Sequence, residues 1–319
     1  MCKEATGLNL AFVFPGQGAQ YVGMGRELIE RYPIAAQTFK AADAALGFAL
    51  SEIILSGPEE TLKLTYHAQP ALLTASIAAF RVFQEQSPRS AIVSAGHSLG
   101  EYSALVAAGV LEFQDAVKLV YQRGRFMDEA VPAGEGAMAA VLGLDEAALE
   151  KVCEEATHGD DLVEMANMNC PGQIAISGTA EAVSRASVLA KAAGAKRVIP
   201  LVVSGPFHCQ LMRPAAGKLS EALGTTQFQT GRWPVVANVD AVARTDAEGI
   251  RLALEQQLYK PVRFQDDVLT MRDMGVDTVI EFGPGTVLSG LIRKTERGLR
   301  TLHVEDMASL EETLSALAE

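Results

Sequence analysis

The chain has 319 residues, 49% hydrophobic and 21% charged, a balance that suits one large globular domain with room for an inserted module. Its formal net charge of −12 argues against nonspecific nucleic-acid binding, and no stretch approaches the ~20 apolar residues that a membrane helix requires. Met1–Ala5 carries no apolar run of the signal-peptide kind, and Cys2, Cys153, Cys170 and Cys209 lack metal-ligand spacing, so a cytoplasmic chain with reduced thiols and no metal is expected.

In chain order, Leu8–Phe14 is a short apolar run closed by Pro15-Gly16, which reads as a buried strand. Helical patterns follow at Met24–Leu46 and Ala68–Gln86, then a strand at Ala91–Ala95, a helix beginning at Ser98 and an amphipathic helix at Phe113–Ala130. This alternation predicts a mostly parallel sheet covered on both faces. Between Gly134 and Val203 the pattern changes to strand Ala137–Leu142, helix Asp145–Thr157, a hairpin of Leu162–Met168 and Gln173–Ser177, helix Glu181–Ala193 and strand Arg197–Val203. That βαββαβ order is the ferredoxin-like split arrangement. The α/β pattern resumes with helices near Gln210–Leu223, Asp246–Leu258 and Arg263–Met274 and strands at Thr278–Phe282 and Arg300–Val304. The expected fold is therefore α/β: a hydrolase-like large subdomain, residues 1–133 and 204–319, with a small ferredoxin-like subdomain, 134–203, inserted. A cleft between the two is the natural ligand site.

Gly96-His97-Ser98-Leu99-Gly100 lies between a predicted strand and a predicted helix, the setting in which Gly-x-Ser-x-Gly exposes a serine nucleophile. The alternative for Ser98 is an N-cap, with Glu101 at capping-box spacing. A nucleophilic serine needs a base, and the chain offers five histidines. His97 adjoins Ser98 and points away from it at a tight elbow; His67 and His158 fall at element ends. His303, in the last strand, suits the Ser…Asp…His order of hydrolases. His208, in the loop leaving the small module, borders the predicted cleft and is the better geometric candidate.

Eight segments in register resemble the malonyl-CoA:acyl carrier protein transacylase family and the related acyltransferase domains of polyketide synthases. They are Phe14-Pro15-Gly16-Gln17-Gly18-Ala19-Gln20, Ala68-Gln69-Pro70-Ala71, Gly96–Glu101, Arg123-Gly124-Arg125-Phe126-Met127, Asn167–Gln173, Gly205-Pro206-Phe207-His208, Gln257–Val262 and Glu281-Phe282-Gly283-Pro284-Gly285. The resemblance implies malonyl transfer from malonyl-CoA to acyl carrier protein through a malonyl-serine. It implies Ser98 as nucleophile, His208 as base and the Gln257 carbonyl as the group orienting that base. The backbone N–H groups of Gln17 and Leu99 would form the oxyanion hole. Arg123, otherwise a solvated helix arginine, would fork onto the malonyl carboxylate. His97, Phe207 and Asn167 would shape the acyl site, with Phe207 crowding an α-methyl group, although hairpin turn chemistry explains Asn167 as well. Lys196, Arg197, Arg293 and Lys294 are candidates for docking an acidic carrier protein. The resemblance also implies a monomer without a cofactor, malonyl-CoA being a substrate. A thioesterase or patatin-like hydrolase is the alternative use of the same elbow.

Overall fold

The computed structural model describes residues 8–318; Cys2 and the Met1–Ala5 segment lie outside the described residues. The chain opens with β1 (Leu10–Phe14), five helices α1 (Arg26–Arg31), α2 (Pro33–Leu46), α3 (Leu50–Ser56), α4 (Glu59–Lys63) and α5 (Thr65–Gln86), then β2 (Val93–Gly96), α6 (Leu99–Ala108) and α7 (Phe113–Ala130). A second group follows: β3 (Gly136–Leu142), α8 (Glu146–Ala156), β4 (Val163–Cys170), β5 (Gln173–Thr179), α9 (Ala180–Ala192) and β6 (Arg197–Pro200). The last group is α10 (Arg213–Thr225), β7 (Val235–Ala237), β8 (Val242–Arg244), α11 (Ala247–Gln257), α12 (Phe264–Asp273), β9 (Thr278–Phe282), α13 (Val287–Thr295), β10 (Arg300–Val304) and α14 (Met307–Ala318).

Six strands form one sheet in the order β10-β9-β1-β2-β7-β8, parallel except for β8. All five residues of β1 are buried because helices cover both faces of the sheet. Phe12 packs edge-on against Phe80, Phe83, Trp233 and Phe282, so four aromatic rings from three distant segments fix β1 at the centre. The remaining four strands form an antiparallel sheet in the order β4-β5-β3-β6, with the βαββαβ connectivity read from the sequence. The small sheet is tied by backbone to the α11–α12 segment of the large subdomain: Val262 N donates to Ala166 O and Met168 N donates to Val262 O, each at 2.8 Å.

Several boundaries differ from the sequence reading. The predicted helix Met24–Leu46 is two, α1 and α2, because Pro33 forces Tyr32 into an extended conformation (φ −121°, ψ 117°) that no helix accommodates. β6 ends at Pro200 rather than Val203: a single further bond, Leu201 N to Met138 O at 2.9 Å, follows it, and Val202 beyond is fully exposed. Ser98 stands at the N-cap position of α6 but its side chain makes no cap, and Glu101 reaches Asn238 and Gln257 instead of turning back to Ser98. The capping-box alternative is thereby overturned. Among the described residues no helix is long and apolar enough to cross a membrane.

Candidate active site

The C-terminal edge of the parallel strands carries the chemistry, as in other open α/β sheets. β2 ends at Gly96 and α6 starts at Leu99, leaving a two-residue elbow in which Ser98 adopts φ 51° and ψ −104°. A positive φ is costly for serine and is retained where packing over-determines it. Here the glycines permit that packing. A Cβ at Gly96 would lie 1.9 Å from the Gly100 carbonyl carbon, and one at Gly100 would lie 2.0 Å from Phe14 O. Gly16 in turn rests on the elbow, its hypothetical Cβ 2.3 Å from His97 O. The small residues of Pro15-Gly16-Gln17-Gly18 and Gly96–Gly100 are thus one close-packed junction between the ends of β1 and β2.

His208 comes from the loop joining the small sheet to α10 and also holds a positive φ, 60°. Its Nε2 lies 2.8 Å from Ser98 Oγ and its Nδ1 2.7 Å from the Gln257 carbonyl oxygen. A carbonyl only accepts, so Nδ1 carries the proton and Nε2 is left to accept from the serine hydroxyl. Gln257 closes α11, and its side chain is as engaged as its carbonyl. Oε1 accepts from Arg123 at 2.9 Å, while Nε2 donates to Ser98 O, Glu101 Oε2 and Asn238 Oδ1.

Arg123 is 1% exposed, which rules out a solvated helix arginine. It projects from α7 behind Ser98. Nη1 donates to Gln69 Oε1 at 2.8 Å and Nη2 to Ser98 Oγ at 3.0 Å, whereas Nε has no partner. The hydroxyl therefore accepts from a guanidinium and donates to an imidazole at once. Burial, and then the charge of Arg123, push His208 down to about 3, so the base is neutral at neutral pH.

A cavity of 620 Å³ opens over this group, lined by Gln17, His97, Ser98, Asn167, Phe207 and His208 among others. Phe207, Met127 and Met138 give it an apolar wall. His97 is held to the small sheet: its Nε2 pairs with Asn169 Oδ1 on β4 at 2.7 Å, and burial lowers its pKa. Asn167 also lies on β4, within the strand at an irregularity and not in the turn, so turn chemistry does not account for it. Leu99 is the first residue of α6, where an N–H has no partner within the helix, and Gln17 faces the same cavity. A second cavity of 310 Å³ shares Gln17, His97, Asn167 and Leu201 and runs between β5 and α13 to Gln173 and Leu291. His303, the competing base, sits on edge strand β10, three places from β2 in the sheet order. His67 is tied to Thr61 O in the first turn of α5, and His158 is exposed.

The four candidate docking cations are exposed along one edge. Lys196 and Arg197 open β6; Arg293 and Lys294 close α13. Lys294 Nζ donates to Gln173 Oε1, and Gln173 faces Leu142, which faces Arg197 across successive strands, so about 10 Å, two strand spacings, separates the Gln173 and Arg197 backbones.

Sequence reasoning missed Asn238, Asp267 and the roles of Gln69 and Glu101. Glu101 is buried beneath the elbow, and burial pushes it up to about 7. Gln69 belongs to the Ala68-Gln69-Pro70-Ala71 segment, and its place at the start of a long run of buried residues in α5 was the available signal.

Comparison with known proteins places the whole assembly in context. The model of the family described as acyl transferase domain matches residues 11–312. The malonyl CoA-acyl carrier protein transacylase of Bacillus subtilis (strain 168) is 54% identical over 311 residues, 98% of each chain. An acyl carrier protein S-malonyltransferase from Vibrio cholerae superposes with a TM-score of 0.93 at 49% identity, over 96% of this chain and 99% of that one. A malonyl-transacylase solved in complex with its type II polyketide synthase acyl-carrier protein gives 0.94 at 47% identity, over 97% and 99%.

Proposed function

This chain belongs to the acyl transferase domain family, and we propose that it moves a malonyl group from malonyl-CoA to the phosphopantetheine thiol of acyl carrier protein as an ester of Ser98. The observation that carries this reading is the position of Ser98 Oγ, 2.8 Å from His208 Nε2 and 3.0 Å from Arg123 Nη2. A base and a dedicated cation meet at one oxygen.

In the first half-reaction Ser98 Oγ attacks the thioester carbonyl while His208 Nε2 takes its proton. The tetrahedral oxyanion is met by the Leu99 and Gln17 N–H groups. Collapse breaks the carbon–sulfur bond, and the His208 proton goes to the departing coenzyme A sulfur. In the second half-reaction the carrier thiol gives its proton to His208 and attacks the ester carbonyl. Breaking the carbon–Oγ bond returns that proton to Ser98. The Gln257 carbonyl holds the imidazole in one tautomer throughout, a task that a buried carboxylate performs in other triads.

The malonyl carboxylate takes the Nη edge of Arg123, replacing the Ser98 Oγ contact at Nη2; a planar two-donor fork fits a carboxylate where lysine offers a point charge. Phe207 limits the volume beside the α-carbon. The reaction needs no cofactor beyond its two substrates. Lys196, Arg197, Arg293 and Lys294 receive the acidic carrier, and pantetheine reaches Ser98 along the paired cavities. The chain acts as a cytoplasmic monomer without nucleic-acid or membrane partners, supplying fatty-acid or polyketide synthesis. Its three described cysteines are free and buried, which suits a reducing compartment.

Product analysis separates transfer from hydrolysis. With malonyl-CoA and holo carrier protein, malonyl-carrier accumulates and little malonate appears. Equal malonate release with and without carrier would identify a hydrolase.

A further inference from the structure

Asn238 follows β7 directly, at the sheet edge beside the elbow, and is fully buried. Every polar atom of it is engaged. Oδ1 accepts from Ser98 N at 2.8 Å and from Gln257 Nε2 at 3.1 Å; Nδ2 donates to Gly96 O and to Asp267 Oδ2, each at 2.7 Å. Its backbone N donates to Glu101 Oε2 at 3.0 Å and its carbonyl accepts from Arg263 N at 2.9 Å. We infer that Asn238 is a positioning residue for the Ser98 nucleophile, gripping the elbow on both sides of His97 while Asp267 fixes the orientation of its amide.

The amide can face only one way. Ser98 N is a donor and must meet Oδ1, whereas Gly96 O is an acceptor and must meet Nδ2. The distinction excludes an aspartate, whose second oxygen would face Gly96 O, and a leucine, which would leave both backbone groups unpaired in a buried site. Because Ser98 holds φ 51°, the elbow relaxes toward an ordinary conformation once its N–H is released. Relaxation carries Oγ away from His208 Nε2. Through Gln257 Nε2 the same amide is linked to the residue that aims His208 and Arg123, so nucleophile, base and cation share one buried support.

The inference rests on Ser98 being the nucleophile, and the test keeps the two apart. Asn238→Ala, Asp267→Ala and Asp267→Asn are compared with wild type for malonyl transfer. The burst of coenzyme A released by malonyl-CoA alone counts competent sites, and thermal denaturation reports the fold. For Asn238→Ala the expected result is a roughly 100-fold lower kcat per competent site with KM for malonyl-CoA within about twofold, the scale set by an ångström-sized misplacement. Asp267→Asn, whose amide oxygen still accepts from Nδ2, keeps kcat within about threefold, while Asp267→Ala loses about tenfold or more. A per-site kcat for Asn238→Ala within about threefold of wild type, the whole loss being in the count of sites, overturns the inference. Should Asn238→Ala fail to fold, equal losses in the two Asp267 variants overturn it and the stated difference upholds it. A burst that survives Ser98→Ala would instead remove the nucleophile reading beneath it.

Discussion

The imidazole of His208 is held by two uncharged oxygens, Ser98 Oγ and Gln257 O, and depressed by burial and by the charge of Arg123. Burial contributes most to its value of about 3, and the Arg123 guanidinium adds to it. A base with so low a pKa is unprotonated across the neutral range but accepts a proton reluctantly. A carboxylate paired with Arg123 offsets that charge and raises the basicity of His208, so the acyl group that belongs in the site also improves the base. Arg123→Ala tests both consequences. Malonyl transfer is expected to fall by about 100-fold or more while acetyl transfer is kept or gained. Because the cation lowers the pKa of His208, its removal moves the acid limb of the acetylation profile to higher pH. Equal loss of both acyl groups, with an unmoved limb, would make Arg123 structural. At this scale the sequence disclosed the reacting side chains but not their supports. Asn238, Glu101 and Asp267 are residue types that usually face solvent; the first two acquire their roles only from segments over 100 residues away, and Asp267 acquires its role from Asn238 across the gap between α12 and β7.

The elements near the site owe their spacing to glycines, and the prediction here concerns α6. Gly100→Ala, whose new Cβ would lie 2.0 Å from Phe14 O, is expected to cost at least about 3 kcal/mol by urea denaturation, since backbone rather than a side chain must give way. Gly217→Ala in α10, with nothing within 4 Å of the added Cβ, is expected to stabilise by about 0.5–1 kcal/mol. Similar effects for the two would mean that the elbow does not need its close approach. Element legibility followed length only in part, since α13 and α14, nine and twelve residues long, went unread. The long periodic helices α5, α7 and α11 and the apolar strands β1, β9 and β10 were readable, whereas β7 and β8, three residues each, gave too little alternation to register. The short helices α3 and α4 went unread for the same reason. β7 is the omission with consequences, because Asn238 stands at its end.

Across the whole molecule, the site exists only where two sheets meet. The large subdomain supplies Ser98 from the β2–α6 elbow, Arg123 from α7 and Gln257 from α11; the small sheet supplies Asn167 and Asn169; His208 rides the loop between the small sheet and α10. The sequence made this division visible through the switch from α/β alternation to βαββαβ order. It could not show that Lys196-Arg197 and Arg293-Lys294, nearly 100 residues apart, would line one edge. These four cations stand on a chain of net charge −12, and a focused basic rim would steer an acidic partner in a salt-dependent way. Reversing Lys196 and Arg197 to Glu is expected to raise KM for carrier protein about tenfold, more at low salt, and to leave KM for malonyl-CoA unchanged. Equal effects on both substrates would contradict docking at this edge.

The central claim is that malonyl rests on Ser98 between its two thiols, and intact-protein mass spectrometry after malonyl-CoA alone tests it directly. Wild-type protein is expected to gain one malonyl group, lost on adding holo carrier protein and never formed by Ser98→Ala. A wild-type chain that forms no adduct, or a Ser98→Ala chain that does, would contradict the account.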